Sequence, residues 1–283
     1  MAAHTYAYLG PAGTFSDQAV REFVKQGRLD ADYEDLPCES MAEVFEAVDR
    51  GKADYGVVPI ENSLEGPVTS VLDAFAFSTR SEILGEVVLD IHQALILAPD
   101  ATLDDVTCVA SHPQGIGQCR RWINQHLPNR QLRMADSTAA AAWMAAEDKT
   151  VAGIAAPLAA ELAGGVVYEE AIEDNVSNQT RFVLIGNGEV AHEGPGKSTL
   201  ALFIQSDRSG VLNMILSEFT YAGVNLTMLQ SRPTKRDLGD YMFFMDIDGY
   251  VEEPDIATAL NCLRMKLREV KVIGSYPCAR KGI

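Results

Sequence analysis

Tyr6-Ala7-Tyr8-Leu9-Gly10-Pro11-Ala12-Gly13-Thr14-Phe15-Ser16 compresses a strand, a turn and a helix start into one short stretch. Tyr6 to Leu9 reads as a strand. Gly10 to Ser16 carries the turn residues, and Asp17 to Gln26 has a helical pattern. Thr14 and Asp17 have the spacing of a capping box. The same motif recurs downstream: a helix begins near Ser40, with Glu43 as capping partner, and stops at Gly51. Tyr55–Val58, Leu95–Leu97, Thr107–Ala110 and Val151–Ile154 read as short buried strands, and Asp136 opens an Ala-rich helix through about Ala146. Strands alternating with helices imply βα units and a mainly parallel sheet. Such sheets place ligands at the carboxyl ends of their strands.

Gly186 to Gly196 is Gly-rich and polar and reads as a linker, the natural place for domain rotation. Beyond it the pattern changes to strand (Ser198–Ile204), helix (Gly210–Tyr221), strand (Leu226–Gln230), strand (Tyr241–Ile247), helix (Asp255–Arg268) and strand (Val270–Tyr276). That order is βαββαβ, a ferredoxin-like unit.

The chain has 283 residues, enough for about two domains, and 47% hydrophobic residues. Its formal charge of −17 argues against nucleic acid or an anionic membrane as partner. An acidic protein binds an acidic small molecule only by supplying positive potential locally, from Arg side chains or helix N-termini. No secretion signal or apolar span is expected, and five scattered cysteines suggest free thiols, so a cytoplasmic location is expected. The sequons Asn175-Val176-Ser177 and Asn178-Gln179-Thr180 then carry no chemical meaning. The histidines lack metal spacing, and no dinucleotide fingerprint, P-loop or nucleophile elbow appears; no metal is expected.

Four loops sit at strand ends. Thr14 to Ser16 offers the free N–H groups of a helix start, although an ordinary capped helix has the same residues. Pro59-Ile60-Glu61-Asn62-Ser63 supplies a carboxylate, an amide and a hydroxyl, or simply a polar turn. Ser111-His112-Pro113-Gln114 precedes Gln118, which would share a helix face with Gln114. Asn178-Gln179-Thr180-Arg181-Phe182 offers a hydroxyl and a guanidinium fork for a carboxylate; pairing of Arg181 with Glu173 or Asp174 is the structural alternative.

Taken in order, these loops resemble the motifs of the prephenate dehydratase family, and Ser137-Thr138-Ala139-Ala140-Ala141-Ala142 is similar to another. The resemblance runs from about Tyr6 to Ile185. The C-terminal unit resembles an ACT regulatory domain: Gln230-Ser231-Arg232-Pro233 is similar to its Glu-Ser-Arg-Pro motif and Ser209-Gly210-Val211-Leu212 to its Gly-Ala-Leu motif. Gln230 and Val211 depart from the pattern, which puts effector strength and identity in question.

The resemblance implies an α/β fold. A two-lobed catalytic region like a periplasmic binding protein occupies residues 1–187, with the site in its cleft, and a ferredoxin-like ACT domain occupies 197–283. It implies a monofunctional enzyme converting prephenate to phenylpyruvate with loss of carbon dioxide and water, in phenylalanine biosynthesis. Phenylalanine would be a feedback inhibitor and the assembly a homodimer or homotetramer. No cofactor is implied, because aromatisation of the ring drives the reaction. Thr180 would donate to the departing oxygen, with Glu61 resupplying the proton and Arg181 clamping a carboxylate. Thr14, Ser16, Asn62, Ser63, Ser111, Gln114, Gln118 and Phe182 would bind substrate. Gly210, Val211, Leu212, Gln230, Ser231, Arg232 and Pro233 would bind effector. Activity on arogenate, and a non-catalytic small-molecule sensor, are the alternatives.

Overall fold

The structure, a computed structural model, describes residues 3–188, 190–206, 208–236 and 239–279. In chain order the strands and helices are β1 (His4–Leu9), α1 (Phe15–Lys25), β2 (Tyr33–Cys38), α2 (Met41–Asp49), β3 (Tyr55–Asn62), β4 (Gly66–Pro67), α3 (Thr69–Phe77), β5 (Glu82–Asp90), β6 (Ala94–Leu97), β7 (Cys108–Ser111), α4 (Pro113–Gln118), α5 (Arg120–His126), β8 (Gln131–Met134), α6 (Thr138–Glu147), β9 (Val151–Ala155), α7 (Pro157–Ala163), β10 (Val166–Glu169) and β11 (Gln179–Gly186). The C-terminal module follows with β12 (Gly196–Phe203), α8 (Val211–Tyr221), β13 (Leu226–Pro233), β14 (Tyr241–Asp248), α9 (Pro254–Lys266) and β15 (Glu269–Pro277).

Two sheets build two lobes. The second lobe holds the sheet β10-β6-β9-β7-β8. The first lobe's strands belong to a longer sheet, β13-β14-β12-β15-β5-β11-β3-β1-β2. The expected mainly parallel arrangement is corrected here. β1 pairs in parallel with β2 and β3, but β11 runs antiparallel to both β3 and β5. The cause is the chain path: it leaves the first lobe at the end of β5 and returns through β11, so the returning strand is reversed. The two crossing segments are strapped together. Ile91 N–H donates to Asn178 O (2.8 Å), Gln93 N–H donates to Glu173 Oε2 (2.9 Å), and His92 Nδ1 lies 2.7 Å from Glu173 Oε1.

Four strands longer than two residues had no legible sequence signal. β8 is exposed along its length, so it lacks apolar periodicity. β2 is an edge strand, which tolerates Pro37. β5 is buried on both faces over most of its length and includes Gly85 and Glu86, so it neither alternates nor reads as an apolar run. β10 is short and mostly exposed.

The C-terminal module has the sheet order β13-β14-β12-β15, all antiparallel, with α8 and α9 on one face. This is the expected βαββαβ topology. β12 alternates between two cores: Leu200 and Leu202 pack under α8 and α9, whereas Ala201 and Phe203 face the first lobe. There they share one apolar cluster with Phe45, Phe75, Met242 and Phe244. Module and lobe thus share a core, and their sheets meet where Gly274 of β15 pairs with Ile83 of β5. A Cβ on Gly274 would sit within 2.4 Å of Ile83 O, so only glycine fits that approach. Gly186, expected in the linker, is the last residue of β11; Glu189, also within that span, and the expected outer domain ends at 1 and 283 lie outside the described residues.

Ion pairs complete the docking. Arg232 of β13 forks onto Asp73 of α3, with Nη2 2.8 Å from Oδ1 and 2.7 Å from Oδ2. Lys197 of β12 donates to Glu86 of β5 at 2.8 and 3.0 Å. Burial disfavours the charge of Asp73, but hydrogen bonds from Arg232 and Lys235 outweigh it and hold the carboxyl below its usual range. Burial of Glu86 is likewise outweighed, by Lys197 and Arg181. A carboxyl with a depressed folded pKa contributes stability that is fully present above its unfolded value and lost as pH falls through the folded one. The docking contribution is therefore constant from neutral pH down to about 4.3, the ordinary Glu value, and declines below it. Urea denaturation from pH 7 to pH 3 is expected to show a flat midpoint to about pH 5 and a steep fall below about 4. Substituting Asp73 by Asn is expected to flatten part of that fall.

Candidate active site

The chain's sequence places helix starts around the gap between the lobes. The cleft has a volume of about 680 Å³ and is lined by the first turns of α1 (Phe15, Ser16), α3 (Thr69, Ser70) and α6 (Thr138), with Gln114 and Gly115 of α4. Thr14 caps α1: its Oγ1 accepts from Asp17 N–H at 3.4 Å and donates to Leu9 O at 3.0 Å. Asp17 does not close the expected box on Thr14; its carboxylate accepts from Gly13 N–H at 2.8 Å. Ser137 caps α6 by accepting from Ala140 N–H at 2.9 Å. The α3 start has no side-chain cap. Neither Lys nor Arg is among the lining residues, while Glu39, Glu65 and Asp136 are. The positive potential for an anionic ligand here is that of unpaired helix N–H groups and their dipoles.

One wall is made by β3 and β11. Thr180 and Phe182 face the cleft, and Arg181 between them faces the opposite way, because side chains alternate along a strand. On β3 the pairing runs Thr180 with Asn62, Arg181 with Glu61, then Phe182 with Pro59; Ile60 is the extra residue of a bulge. The bulge breaks the alternation, so Pro59 and Asn62 both line the cleft while Glu61 turns to Arg181.

Asn62 uses all its hydrogen-bonding capacity. Its Oδ1 accepts from Leu64 N–H (2.9 Å) and Glu65 N–H (3.0 Å), which fixes which end of the amide is which. Its Nδ2 donates to Asn178 Oδ1 and to Thr180 Oγ1, each at 2.8 Å. Thr180, only 8% exposed, therefore has its oxygen engaged as an acceptor and its own proton left for a third group.

Several expected site residues lie elsewhere. Arg181 is 7% exposed and away from the cleft: its guanidinium meets Asp246 Oδ2 at 2.6 Å, Glu86 Oε2 at 3.1 Å and Glu61 Oε2 at 3.2 Å. Strand alternation removes it as a substrate clamp, and the β3 bulge removes Glu61 as a proton partner; nor does Arg181 pair with Glu173 or Asp174. Ser111 is fully buried, its Oγ donating to Ile154 O at 2.7 Å, so it ties β7 to β9. Ser63 donates to Ser177 O (3.1 Å) and accepts from Gln179 N–H (2.9 Å), which stitches two loops without lining the cleft. Thr14, Ser16, Asn62, Gln114, Gln118, Thr180 and Phe182 are brought together.

Others join them that sequence reasoning passed over. Asn178 is almost fully buried beside Asn62. Gln93, which lines the cleft, donates through Nε2 to Gln118 Oε1 at 3.2 Å, and its own Oε1 is buried without a partner. Asn178 opens the motif that contains Thr180 and was readable from it; Gln93 follows an unrecognised strand and gave no signal.

The lobes touch. Gln114 Nε2 donates to Glu65 Oε1 across the gap at 2.9 Å. Gly13, with φ of +86°, packs on α7 of the second lobe so closely that a Cβ would lie 2.9 Å from Ala159 Cα.

In the C-terminal module a second cavity, of about 400 Å³, lies at the start of α8. It is lined by Gly210, Val211, Leu212, Asn213, Arg208 and Ser231, with Tyr241 and Phe243. Gly210 caps α8 in the left-handed region without a side-chain bond, leaving helix N–H groups open. Gln230, Arg232 and Pro233 do not line it. Strand alternation puts Arg232 on the docking face, where Asp73 holds it; Gln230 bonds its neighbour's carbonyl, with Nε2 3.2 Å from Ser231 O.

Residues 6–190 match the family described as prephenate dehydratase. A bifunctional chorismate mutase/prephenate dehydratase from Neisseria gonorrhoeae is 39% identical over 278 residues, 97% of this chain and 75% of that one. Among solved structures, a prephenate dehydratase from Arthrobacter aurescens in complex with L-Phe superposes with a TM-score of 0.86 at 37% identity, covering 98% of this chain and 90% of that one. GqqA, described as a novel type of quorum quenching acylase, superposes with a TM-score of 0.83 at 29% identity, covering 97% and 98%. The chain belongs to the prephenate dehydratase family. Among the described residues no helix is long and apolar enough to cross a membrane.

Gly13→Ala adds a methyl group where the backbone is left-handed and the opposite lobe is in contact. The variant is expected to hold the lobes apart. Small-angle scattering should then give a larger radius of gyration than wild type, with an unchanged circular dichroism spectrum; equal radii would show that this contact does not limit closure.

Proposed function

We propose that the cleft converts prephenate to phenylpyruvate, with Thr180 as the hydrogen-bond donor to the departing oxygen. The observation that carries this reading is the Asn62–Thr180 hydrogen bond at 2.8 Å. It takes up one lone pair of the hydroxyl and leaves the proton free to be donated to a reacting oxygen.

The chemistry asks little else. The bond from the ring to its carboxylate breaks, and the electron pair moves through the ring diene and expels the C4 hydroxyl. Carbon dioxide and an aromatic ring result, so the ring itself is the electron sink. Charge migrates from carboxylate to leaving hydroxide, and the enzyme's task is to stabilise that charge and hold the geometry. The helix starts of α1, α3 and α6 supply potential for the substrate's two carboxylates, which accounts for a cleft lined by neither Lys nor Arg. Asn178 and Gln118 orient the substrate by hydrogen bonds, and Phe182 offers the ring an apolar surface. A threonine hydroxyl is a weak acid. Its role is a strong hydrogen bond to the developing hydroxide, which takes its final proton from water.

Purified protein mixed with prephenate is expected to yield phenylpyruvate, and arogenate run alongside is expected to react more slowly. Thr180→Ala is expected to lower kcat by about 10²–10⁴-fold, with Thr180→Ser retaining most of it. Near-normal turnover in Thr180→Ala would remove Thr180 from the chemistry; binding without product in wild type would mark a sensor.

The C-terminal module is read as an ACT-type regulatory domain, spanning about 197–283. The likeness to a relative solved with L-Phe supports phenylalanine as its ligand. The cavity at α8 suits an amino acid, with the carboxylate on the open helix start and Arg208, and the side chain against Tyr241 and Phe243. A homodimer or homotetramer would place this cavity beside a second copy. Calorimetry with phenylalanine, tyrosine and tryptophan is expected to show heat with phenylalanine above all; no heat from any of them would defeat the regulatory reading.

A further inference from the structure

Asp246 of β14 lies in the C-terminal module, yet its carboxylate is the shortest ion-pair contact of Arg181, at 2.6 Å, and is 1% exposed. Arg181 is the residue after Thr180 on β11. We propose that Asp246 is a positioning residue for the reaction: through Arg181 it fixes β11 at the point where Thr180 enters the cleft. The inference rests on the assignment of Thr180 above.

Three observations carry it. First, Asp246 is itself held from within the module. Its Oδ1 accepts from Thr199 Oγ1 at 2.8 Å, and Thr199 Oγ1 lies 2.9 Å from the buried Tyr276 hydroxyl. The carboxylate is thus a fixed post and does not follow Arg181. Second, Arg181 is short of alternatives. Its Nε is buried without a partner, Nη1 is engaged by Glu86 at 3.1 Å, and Nη2 is shared between Asp246, Glu61 and Met228 Sδ (3.7 Å). Burial works against the Arg181 charge, Asp246 and then Glu86 and Glu61 outweigh it, and the pKa is held above its ordinary value. A buried cation cannot give up a carboxylate without moving to find another. Third, the place where such a move would be felt is the β3 bulge, where ladder pairing is already interrupted between Arg181 and Phe182. A displacement there changes the Asn62–Thr180 contact directly, and misplacement by an ångström costs about 10²-fold in rate.

The alternative is that Asp246 only glues the module on. Asp73 separates the two, because its pair with Arg232 also docks the module but ends on a side chain of α3, not on one of β11. In the full-length protein, Asp246→Asn keeps side-chain shape and the acceptor for Thr199 but removes the charge facing Arg181. It is expected to lower kcat on prephenate about 10- to 100-fold with KM within about twofold, and to speed amide hydrogen exchange at residues 179–182. Asp73→Asn is expected to lower the urea midpoint while kcat and that exchange stay at wild-type values. Wild-type kcat and exchange in folded Asp246→Asn, or equal losses in both variants, overturn the proposal. Should Asp246→Asn not fold, Asp246→Glu keeps the charge on a longer arm and is expected to give the same kcat loss with a smaller stability loss; wild-type kcat and exchange there overturn it too. Absence of prephenate turnover in wild type defeats the functional reading instead, and exchange at 179–182 still decides whether Asp246 positions the strand.

Discussion

A charged guanidinium shut away from water must be surrounded by carboxylates, and Arg181 is. That requirement organises the molecule. It draws Glu61 from β3, Glu86 from β5 and Asp246 from β14 to one point on β11. Because neighbours on a strand face opposite ways, satisfying Arg181 on one side presents Thr180 on the other. The strand is a partition: a dry network of charges behind it, the reaction cleft in front. Lys197, bonded to Glu86, adds a second cation and leaves the network close to balanced.

The electrostatics of the two sides are divided by type. Whole charges are concentrated behind β11 and in the docking pairs. The cleft is lined by no Lys or Arg; beside the carboxylates of Glu39, Glu65 and Asp136 it offers partial charges, from helix starts, amides and hydroxyls. A fixed dipole does not neutralise a carboxylate in the way a flexible Arg does; it stabilises charge along a direction. For a reaction whose charge travels from one end of the substrate to the other, dipoles arranged around the path serve both ends. This also reconciles a chain of net charge −17 with an anionic substrate.

Local signals were legible in the sequence wherever one element decided them. The turn and helix start at Gly10–Ser16, the Ser40 cap, the start of the Ala-rich helix after Asp136 and the βαββαβ order of the last third all follow from short-range chemistry. The loops carrying Thr180, Asn62, Gln114 and Gln118 read equally as ordinary turns and caps one by one; the family resemblance of the set singled them out, and these four residues line one cleft. What failed depended on partners distant in sequence. Glu61 and Asn62 exchange faces because of a bulge that shows only in the pairing with β11. Arg181 looked like a clamp because its true partner, Asp246, comes 65 residues later and in another module. Ser111 and Ser63 looked like ligands because a hydroxyl that bonds a backbone carbonyl cannot be told from a free one by residue type. β5 was invisible because a strand buried on both faces and carrying Gly85 and Glu86 has no period to read.

Gly13 meets Ala159 with no room for even a methyl group, so the two lobes close to backbone contact. Contact at that one point leaves the rest of the cleft, about 680 Å³, open between the lobes. Any wider opening pivots where the chain crosses, and there the straps, His92 with Glu173 and Ile91 with Asn178, are what must flex. The bonds that tie the crossing segments therefore set how far the lobes can part.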